Sequence, residues 1–350
     1  MSFTSLSLKN FRSYRDYTVD LGVGVNIIVG PNGSGKTNLL EGLFVLARGK
    51  SFRVSDAELL RHGTKVARVA GVVDGRRRQL SLRLGDGRVE KRWKFDGTEK
   101  LRLMPAHKLK VVLFEPRDMQ LLTGSPDQRR LFMDEALEQL EPAYGTALGR
   151  YRRALAQRNA LLKQERRVPA DHFFVWNVRL SELGAQIIRW RRRLTEALDQ
   201  RAAAAYGDIS GVSSEVKVVY GDQTSAVPDD QLASALLHAL EERQEKDLVR
   251  GFTSVGPHRD DMMLKLNGTL ASTSASRGET RSLVVMLKLL EAQLLQARHD
   301  ELPLVLLDDV FGELDRKRRQ ALARHFVEHQ VVITSTDAVT ARGASTIRLG

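Results

Sequence analysis

The chain has 350 residues and carries 55 Lys and Arg against 43 Asp and Glu, a formal net charge of +12. This length is enough for one large α/β domain with an elaboration, or for two domains. Because the sequence contains no cysteine, disulfides, thiolate chemistry and Cys-based zinc sites are excluded. The excess of basic residues favours a polyanionic partner, although a generally arginine-rich proteome would give the same charge without such a partner.

The N-terminal segment MSFTSLSLKNF has no apolar core of the length found in a signal peptide. No later run of the sequence approaches the length of a membrane span. The lack of cysteine also suits a reducing compartment. We therefore expect a cytoplasmic protein with no membrane partner.

A phosphate-binding loop is the most specific local signal. The stretch GPNGSGKT follows the apolar run VNIIV and precedes a helical spacing of leucines, which is the strand and helix context that this motif requires. Lys36 is expected to reach the β- and γ-phosphates of ATP, and the Thr37 hydroxyl to bind Mg²⁺. The residues assigned to the nucleotide are Gly30, Pro31, Asn32, Gly33, Ser34, Gly35, Lys36 and Thr37.

Between this loop and residue 100, polar and apolar residues alternate. Such alternation predicts half-buried strands, and pairs of Asp and Gly predict tight hairpin turns. The region is therefore predicted to be an antiparallel β layer. Its strands are expected at residues 65–73, 79–84 and 89–95, with turns at Asp74-Gly75, Gly85-Asp86-Gly87 and Asp96-Gly97.

From about residue 127 the apolar spacing becomes helical, and two long segments stand out. In the second segment the apolar residues recur at alternating steps of three and four, which predicts a helix packed along one partner. Residues 166–172, with Pro169, are the predicted bend, so the segments form an antiparallel hairpin over about residues 143–206. The apolar positions are Phe173, Trp176, Leu180, Leu183, Ile187, Trp190 and Leu194.

Arginines cluster on both predicted arms of this hairpin. A solvated helix face explains a single cluster, whereas two facing clusters favour contact with DNA, and both interpretations stay open. A third basic run lies in the β layer. The candidates for DNA contact are Arg76, Arg77, Arg78, Arg152, Arg153, Arg189, Arg191, Arg192 and Arg193.

The C-terminal third contains two further elements. Ser276 and Glu279 have the spacing of a capping box, which predicts a helix starting at Ser276. Such an N-terminus can bind an anion, but most capped helices bind nothing. Further on, the run LVLL predicts a buried strand that ends at Asp308 and Asp309. Asp308 is expected to hold Mg²⁺, and Asp309 to orient or deprotonate the attacking water.

Taken in order, four motifs resemble the Walker A, signature, Walker B and D-loop of ABC-type ATPases. More specifically, the chain resembles the RecF family of bacterial recombination mediators along nearly its whole length. The family resemblance is carried by KNFRSY, by GSPDQRRLFMD from Gly124, by GPHRDD from Gly256 and by LLDDVFGELD from Leu306. The four ABC-type motifs are residues 30–37, Ser276-Arg277-Gly278-Glu279, Asp308-Asp309 and Gly312-Glu313-Leu314-Asp315.

The resemblance implies a head domain that sandwiches two ATP molecules between two subunits. Ser276 and Gly278 of one subunit would face the γ-phosphate held by the other, so that a homodimer forms only with ATP. Arg12, within KNFRSY, resembles a residue near the nucleotide in SMC-type heads. The family's role implies binding to double-stranded DNA near single-strand gaps and action with RecR and RecO in loading RecA.

Some positions depart from the transporter ATPase pattern. Arg277 replaces a glycine of the signature, and Asp309 replaces the usual catalytic glutamate. No glutamine fits the Q-loop well, Gln120 being nearest, and the switch position has Thr336 or Asp337 in place of histidine. These departures favour slow turnover.

The fold class we expect is α/β, an ABC-type ATPase head with an antiparallel β layer and an inserted helical hairpin. Its predicted parts are residues 1–125 with Walker A, 126–250 with the hairpin, and 251–350 with the signature, Walker B and D-loop. The expected function is that of a weak, DNA-stimulated ATPase in recombinational repair. The alternatives are a non-hydrolysing, ATP-gated DNA scaffold and a transporter-type ATPase subunit.

Overall fold

A computed structural model describes residues 1–164, 169–224, 226–336 and 343–349. The chain divides into two compact units, one of Met1–Asp118 with Glu291–Gly350, and one of Met119–Leu290. The predicted boundary between residues 250 and 251 lies inside the second unit. Within the described residues, no helix is long and apolar enough to cross a bilayer.

The described residues form strands and helices in the following order. The strands are β1 (Phe3–Phe11), β2 (Tyr14–Asp20), β3 (Val25–Val29), β4 (Val66–Val73), β5 (Arg76–Leu84), β6 (Val89–Phe95), β7 (Thr98–Lys100), β8 (Val111–Phe114), β9 (Val216–Gly221), β10 (Asp261–Leu266), β11 (Thr269–Leu270), β12 (Leu304–Leu307), β13 (Val331–Ser335) and β14 (Ser345–Arg348). The α-helices are α1 (Lys36–Arg48), α2 (Gln120–Thr123), α3 (Pro126–Leu140), α4 (Pro142–Leu162), α5 (Ala170–Ser210), α6 (Leu232–Glu242), α7 (Gln244–Arg250), α8 (Ala271–Ser274), α9 (Arg277–His299) and α10 (Arg316–His325).

A parallel sheet in the first unit has the strand order β14-β3-β13-β12-β8. Its central strands are largely buried on both faces, as is typical of parallel sheets, and their sequences VNIIV, VVITS and LVLL are mostly apolar. Because β3 and β12 both pair in parallel with β13, the carboxyl ends of all three strands lie at one edge of the sheet. That edge is where open α/β sheets bind ligands.

The second sheet of this unit is the predicted antiparallel layer, with the order β2-β1-β4-β5-β6-β7. Asp74 with Gly75, and Asp96 with Gly97, have the positive φ angles of tight hairpin turns, and residues 85–88 connect the antiparallel strands β5 and β6, so the three turn predictions are confirmed. The β4 and β6 predictions are correct to within one residue, whereas β5 begins three residues earlier, at Arg76. Residues of α1 and of both sheets belong to one apolar core.

The second unit contains the predicted helical hairpin, formed by α4 and α5. Its second arm is continuous from Ala170 to Ser210, so His172 belongs to the helix rather than to the bend. Residues 166–168 of the predicted bend lie outside the described residues. Helix α6 and the antiparallel sheet β11-β10-β9 belong to the same unit, with β9 packing against α5.

Arg158 of α4 occupies the centre of a buried polar network in the second unit. Its guanidinium donates to the Asp247 carboxylate (2.8 Å), the Thr253 hydroxyl (2.8 Å) and the Asn177 amide oxygen (2.7 Å). The Arg158 and Asp247 side chains are both 0% exposed. A buried ion pair stays charged only when its remaining hydrogen-bonding capacity is satisfied, and here α4, α5 and α7 all contribute.

We predict that Arg158→Met destabilises the second unit by about 3–5 kcal/mol, because it leaves the Asp247 carboxylate buried without a counter-ion. Urea denaturation followed by circular dichroism measures the loss. Arg153→Met, at an exposed position of the same helix, is the matched control and should stay within about 0.5 kcal/mol of the parent. Equal unfolding midpoints for the two variants would show that the Arg158–Asp247 ion pair does not stabilise the second unit.

Candidate functional site

The phosphate loop joins β3 to α1 at the ligand edge of the parallel sheet. Gly33 and Gly35 have φ angles of +83° and +101°, in the left-handed region that side chains disfavour. The Lys36 side chain is buried, and its ammonium donates to the carbonyl oxygens of Gly30 (2.8 Å) and Pro31 (3.1 Å). The cation therefore lies within its own loop.

The loop has the features of an anion cradle. A Cβ atom at Gly30 would lie 2.6 Å from the Ser34 hydroxyl and 2.8 Å from the Leu349 carbonyl oxygen, so no side chain fits there. Among the described residues, the Ser34 hydroxyl is buried without a hydrogen-bond partner. The 13-residue helix α1 starts at Lys36, and its dipole places partial positive charge at the loop. A polyphosphate fits these groups.

Asp308 lies beside this loop, as predicted, although 271 residues separate it from Thr37. One oxygen of the Asp308 carboxylate accepts hydrogen bonds from the hydroxyls of Thr37 (2.9 Å) and Thr334 (2.8 Å). Burial raises the pKa of Asp308, and the two hydroxyl hydrogen bonds oppose that rise. A carboxylate and a hydroxyl next to a phosphate cradle are the oxygen ligands that Mg²⁺ prefers.

Thr334 is a site residue that the sequence analysis missed. Its hydroxyl donates to Asp308 and accepts from the backbone N–H of Asp309 (2.9 Å). Asp309 has a φ angle of +52°, so this contact holds a residue in an unfavourable backbone conformation. The available signal was a hydroxyl residue near the end of the strand after Walker B. Of the predicted switch residues, Thr336 is exposed and Asp337 lies outside the described residues.

The signature helix has the predicted cap. The backbone N–H of Ser276 donates to the Glu279 carboxylate (2.8 Å), and the N–H of Glu279 donates to the Ser276 hydroxyl (3.3 Å). The hydrogen bonds that the Glu279 carboxylate accepts from Ser276, first of all from its backbone N–H, lower the pKa of Glu279. Ser276 and Arg277 are exposed, and the 23-residue helix α9 begins at Arg277. Ser276 and Gly278 belong to the second unit, unlike the phosphate loop and Asp308.

Comparison with known proteins agrees with this arrangement. Residues 2–349 match the RecF/RecN/SMC N terminal domain family. The chain is 37% identical over 346 residues to the DNA replication and repair protein RecF of Heliobacterium modesticaldum, covering 96% of this chain and 92% of that protein. This chain belongs to the RecF family. The resemblance identified from the sequence motifs is thereby confirmed.

Solved structures agree with the RecF assignment. A structure of the recombination mediator RecF with ATP has a TM-score of 0.88 and 27% sequence identity, and the alignment covers 99% of this chain and 95% of that one. An SMC head bound to the C-terminal winged-helix domain of ScpA aligns with a TM-score of 0.56 at 14% identity, over 97% of this chain and 91% of that one. The fold is thus that of an ABC-type ATPase head, as predicted.

In this RecF family member, Arg12 belongs to a cluster of ion pairs around Glu41 of α1. Its guanidinium is 3.0 Å from the carboxylate of Glu41, whose side chain is fully buried. Arg53 contacts the same carboxylate at 3.1 Å and also donates to the side chain of Asn38. Two guanidiniums therefore share one buried carboxylate of α1, and Arg12 also interacts with the Glu58 carboxylate. Arg53 was missed because it lies in an irregular segment without a recognised motif.

Two of the DNA-contact candidates are wrong, because their charged groups are buried. The Arg78 guanidinium donates to the His107 carbonyl oxygen and lies over the rings of Trp93 and Phe95, and burial lowers its pKa to about 10. Arg191 is 2% exposed and is paired with Asp134 at 2.8 Å. Neither group is available to a DNA phosphate.

The other candidates for DNA contact differ in how many hydrogen bonds their guanidiniums already make within the protein. The guanidinium of Arg192 donates to Asp222 and to the carbonyl oxygen of Thr224, and that of Arg189 donates to the carbonyl oxygen of Asp229. Both are less available than the sequence suggested. The exposed candidates are Arg76, Arg77, Arg152, Arg153 and Arg193.

Thr334→Val should raise the pKa of the Asp308 carboxyl further, because it removes a hydrogen bond to the ionised form. Thr334→Ser keeps the hydroxyl and is expected to leave the pKa unchanged. Carbon-13 NMR titration of the side-chain carboxyls, with Asp308→Asn to identify the resonance, measures the change. If valine and serine had the same effect, the Thr334 hydroxyl would not be a determinant of Asp308 ionisation.

Proposed function

We propose that this chain is an ATP-dependent DNA-binding protein of recombinational repair, which binds duplex DNA near single-strand gaps. The observation that carries the proposal is the contact of Thr37 with Asp308, which joins an anion cradle to a carboxylate at the ligand edge of the sheet. Family membership and the likeness to RecF solved with ATP support it. RecR is the expected direct partner, with RecO and RecA acting in the same pathway.

Residues of the first unit would bind and hydrolyse ATP with Mg²⁺. Lys36 would leave the loop carbonyls and neutralise phosphate charge, while Thr37 and Asp308 would hold Mg²⁺, which offsets the charge of the phosphates. Asp309 would orient the attacking water, with its backbone held by Thr334. Because Asp309 is shorter than the glutamate of transporter ATPases, we expect slow turnover. Stimulation of this turnover by DNA is a separate part of the proposal.

ATP would also control dimerisation. The capped N-terminus of α9 offers Ser276, the backbone at Gly278 and a helix dipole to an anion. In a head-to-tail dimer these groups of one subunit would bind the γ-phosphate held by the partner subunit. ADP lacks that phosphate, so the dimer would be favoured by the difference in interaction energy between the two nucleotides.

Contact with DNA would rest on exposed arginines. Arg76 and Arg77 in the first unit, and Arg153 and Arg193 on the hairpin, keep their guanidiniums at the surface, whereas Arg152 is paired with Asp134. Arginines that contact phosphates position a protein on DNA without reading its sequence. We therefore expect affinity for duplex DNA of any sequence.

Ser276→Arg should abolish ATP-induced dimerisation while ATP still binds the monomer. The arginine side chain is much larger than that of serine and would occupy the position offered to the partner's γ-phosphate. Light scattering with ATP, ADP and no nucleotide measures the dimer fraction, and calorimetry measures ATP binding. Ser213→Arg, at an exposed serine of the same unit, is the matched control. Lys36→Met is a second control. It should fail to bind ATP, and so it shows what the loss of dimerisation looks like when nucleotide binding is the cause.

Dimerisation of Ser276→Arg with ATP, or equal dimer fractions in all three nucleotide states, would show that the capped helix has no role in the switch. A phosphate-release assay with and without duplex DNA then separates a weak ATPase from a non-hydrolysing scaffold. Asp309→Asn should slow phosphate release and lengthen the lifetime of the dimer.

Duplex DNA should bind less tightly as salt rises, because each neutralised phosphate releases counter-ions. Reversing Arg153 and Arg193 to Glu should weaken binding and lower the magnitude of the salt slope by about 2 if both arginines contact phosphates. Fluorescence anisotropy over a salt series measures both quantities. Arg201→Glu, an exposed reversal further along α5, is the control, and an unchanged slope in the double variant would remove the hairpin from the DNA surface.

A further inference from the structure

Two sequence blocks that the nucleotide site does not use come together in the second unit. They are residues 124–134, GSPDQRRLFMD, and residues 256–261, GPHRDD. Arg129 of the first block forms a two-pronged ion pair with Asp261 of the second, at 2.7 and 2.8 Å. Arg130 donates to the carbonyl oxygen of Asp260 at 2.6 Å. These contacts hold α3 beside the 256–261 segment.

A cavity of about 420 Å³ lies beside this junction. It is bounded by α3, α4, α5 and the segment at Pro257, and its volume is in the range of ligand pockets in proteins. Much of its wall is apolar, so the cavity offers burial to an apolar side chain. The apolar lining residues are Leu131, Leu148, Leu155, Ile187 and Pro257.

The charged lining of the cavity has one positive charge in excess. Asp134 pairs with both Arg191 (2.8 Å) and Arg152 (3.0 Å), while Arg130 pairs with Asp127 (2.7 Å). Three guanidiniums therefore face two carboxylates. His258 also lines the cavity, but burial lowers its pKa to about 4, so it adds no charge near neutral pH.

Arg152 is the arginine of this lining that a ligand can contact most readily. Its side chain is 61% exposed, and the contact with Asp134 uses only one end of the guanidinium. Leu131, on helix α3 of the cavity wall, is 42% exposed. Arg152 can therefore still donate hydrogen bonds to a second carboxylate, and the accessible apolar surface of Leu131 belongs to the same cavity.

We propose that this cavity binds a segment of a partner protein that carries an acidic side chain next to a large apolar one. The carboxylate would pair with Arg152, and the apolar side chain would enter between Leu131 and Ile187. DNA fits less well, because the apolar wall gives nothing to a phosphate and Asp127, whose side chain is 84% exposed, repels it. The cavity shares no lining residue with the proposed nucleotide site.

A displayed library of random twelve-residue peptides tests the proposal on the full chain, with counter-selection on the Arg152→Glu variant. We expect enrichment of peptides that place Asp or Glu within a few residues of Leu, Phe or Met. The enriched peptide, made synthetically, should bind Arg152→Glu and Leu131→Asp at least tenfold more weakly than the parent. Arg150→Glu, at an exposed position of α4 that does not line the cavity, should bind it normally.

Replacing the acidic residue of that peptide by its amide should also weaken binding about tenfold. The proposal is overturned if the enriched peptides lack an acidic residue, or if Arg152→Glu and Leu131→Asp both bind as the parent does. Duplex DNA that displaces the peptide from the parent would assign the cavity to the DNA surface instead. Urea midpoints of the variants, compared with that of Arg150→Glu, confirm that each is folded.

Discussion

The candidate nucleotide site depends on one hydrogen bond, from the Thr37 hydroxyl to the Asp308 carboxylate, across 271 residues of sequence. It forms because β3 and β12 both lie parallel to β13 and end at the same edge of the sheet. The phosphate loop and the carboxylate would otherwise be separate features. Thr334, at the end of the strand between them, holds the Asp308 side chain and the Asp309 backbone together. The geometry of the candidate nucleotide site is therefore a consequence of strand order.

The second unit depends on a different constraint, which is the pairing of buried arginines. Arg158 and Arg191 are both almost inaccessible, and each is held by a carboxylate and by further hydrogen bonds from neighbouring elements. Burial without such partners would cost several kcal/mol for each charge. Part of the net charge of +12 is thus used to connect helices and is not offered to a polyanion. The basic surface is smaller than the composition suggests.

Local patterns predicted most of the elements well. The strand, glycine loop and helix around Lys36, the Asp-Gly turns, the capping box at Ser276 and the long helical arm are all present. These features depend on backbone preferences and apolar periodicity within a few residues, so a linear sequence carries them. The motif order also identified the RecF family, because several specific blocks occurred together along one chain.

The sequence by itself determined the phosphate loop, the acidic pair after a buried strand and the family, since each rests on residues adjacent in the chain. Only the tertiary structure decided which charges are available. Arg191 and Arg193 are two residues apart on one helix, yet one is buried against Asp134 and the other is exposed. The structure also joined Thr334 to Asp308 and Arg129 to Asp261. Burial and pairing depend on residues distant in the sequence, so no local pattern specifies them.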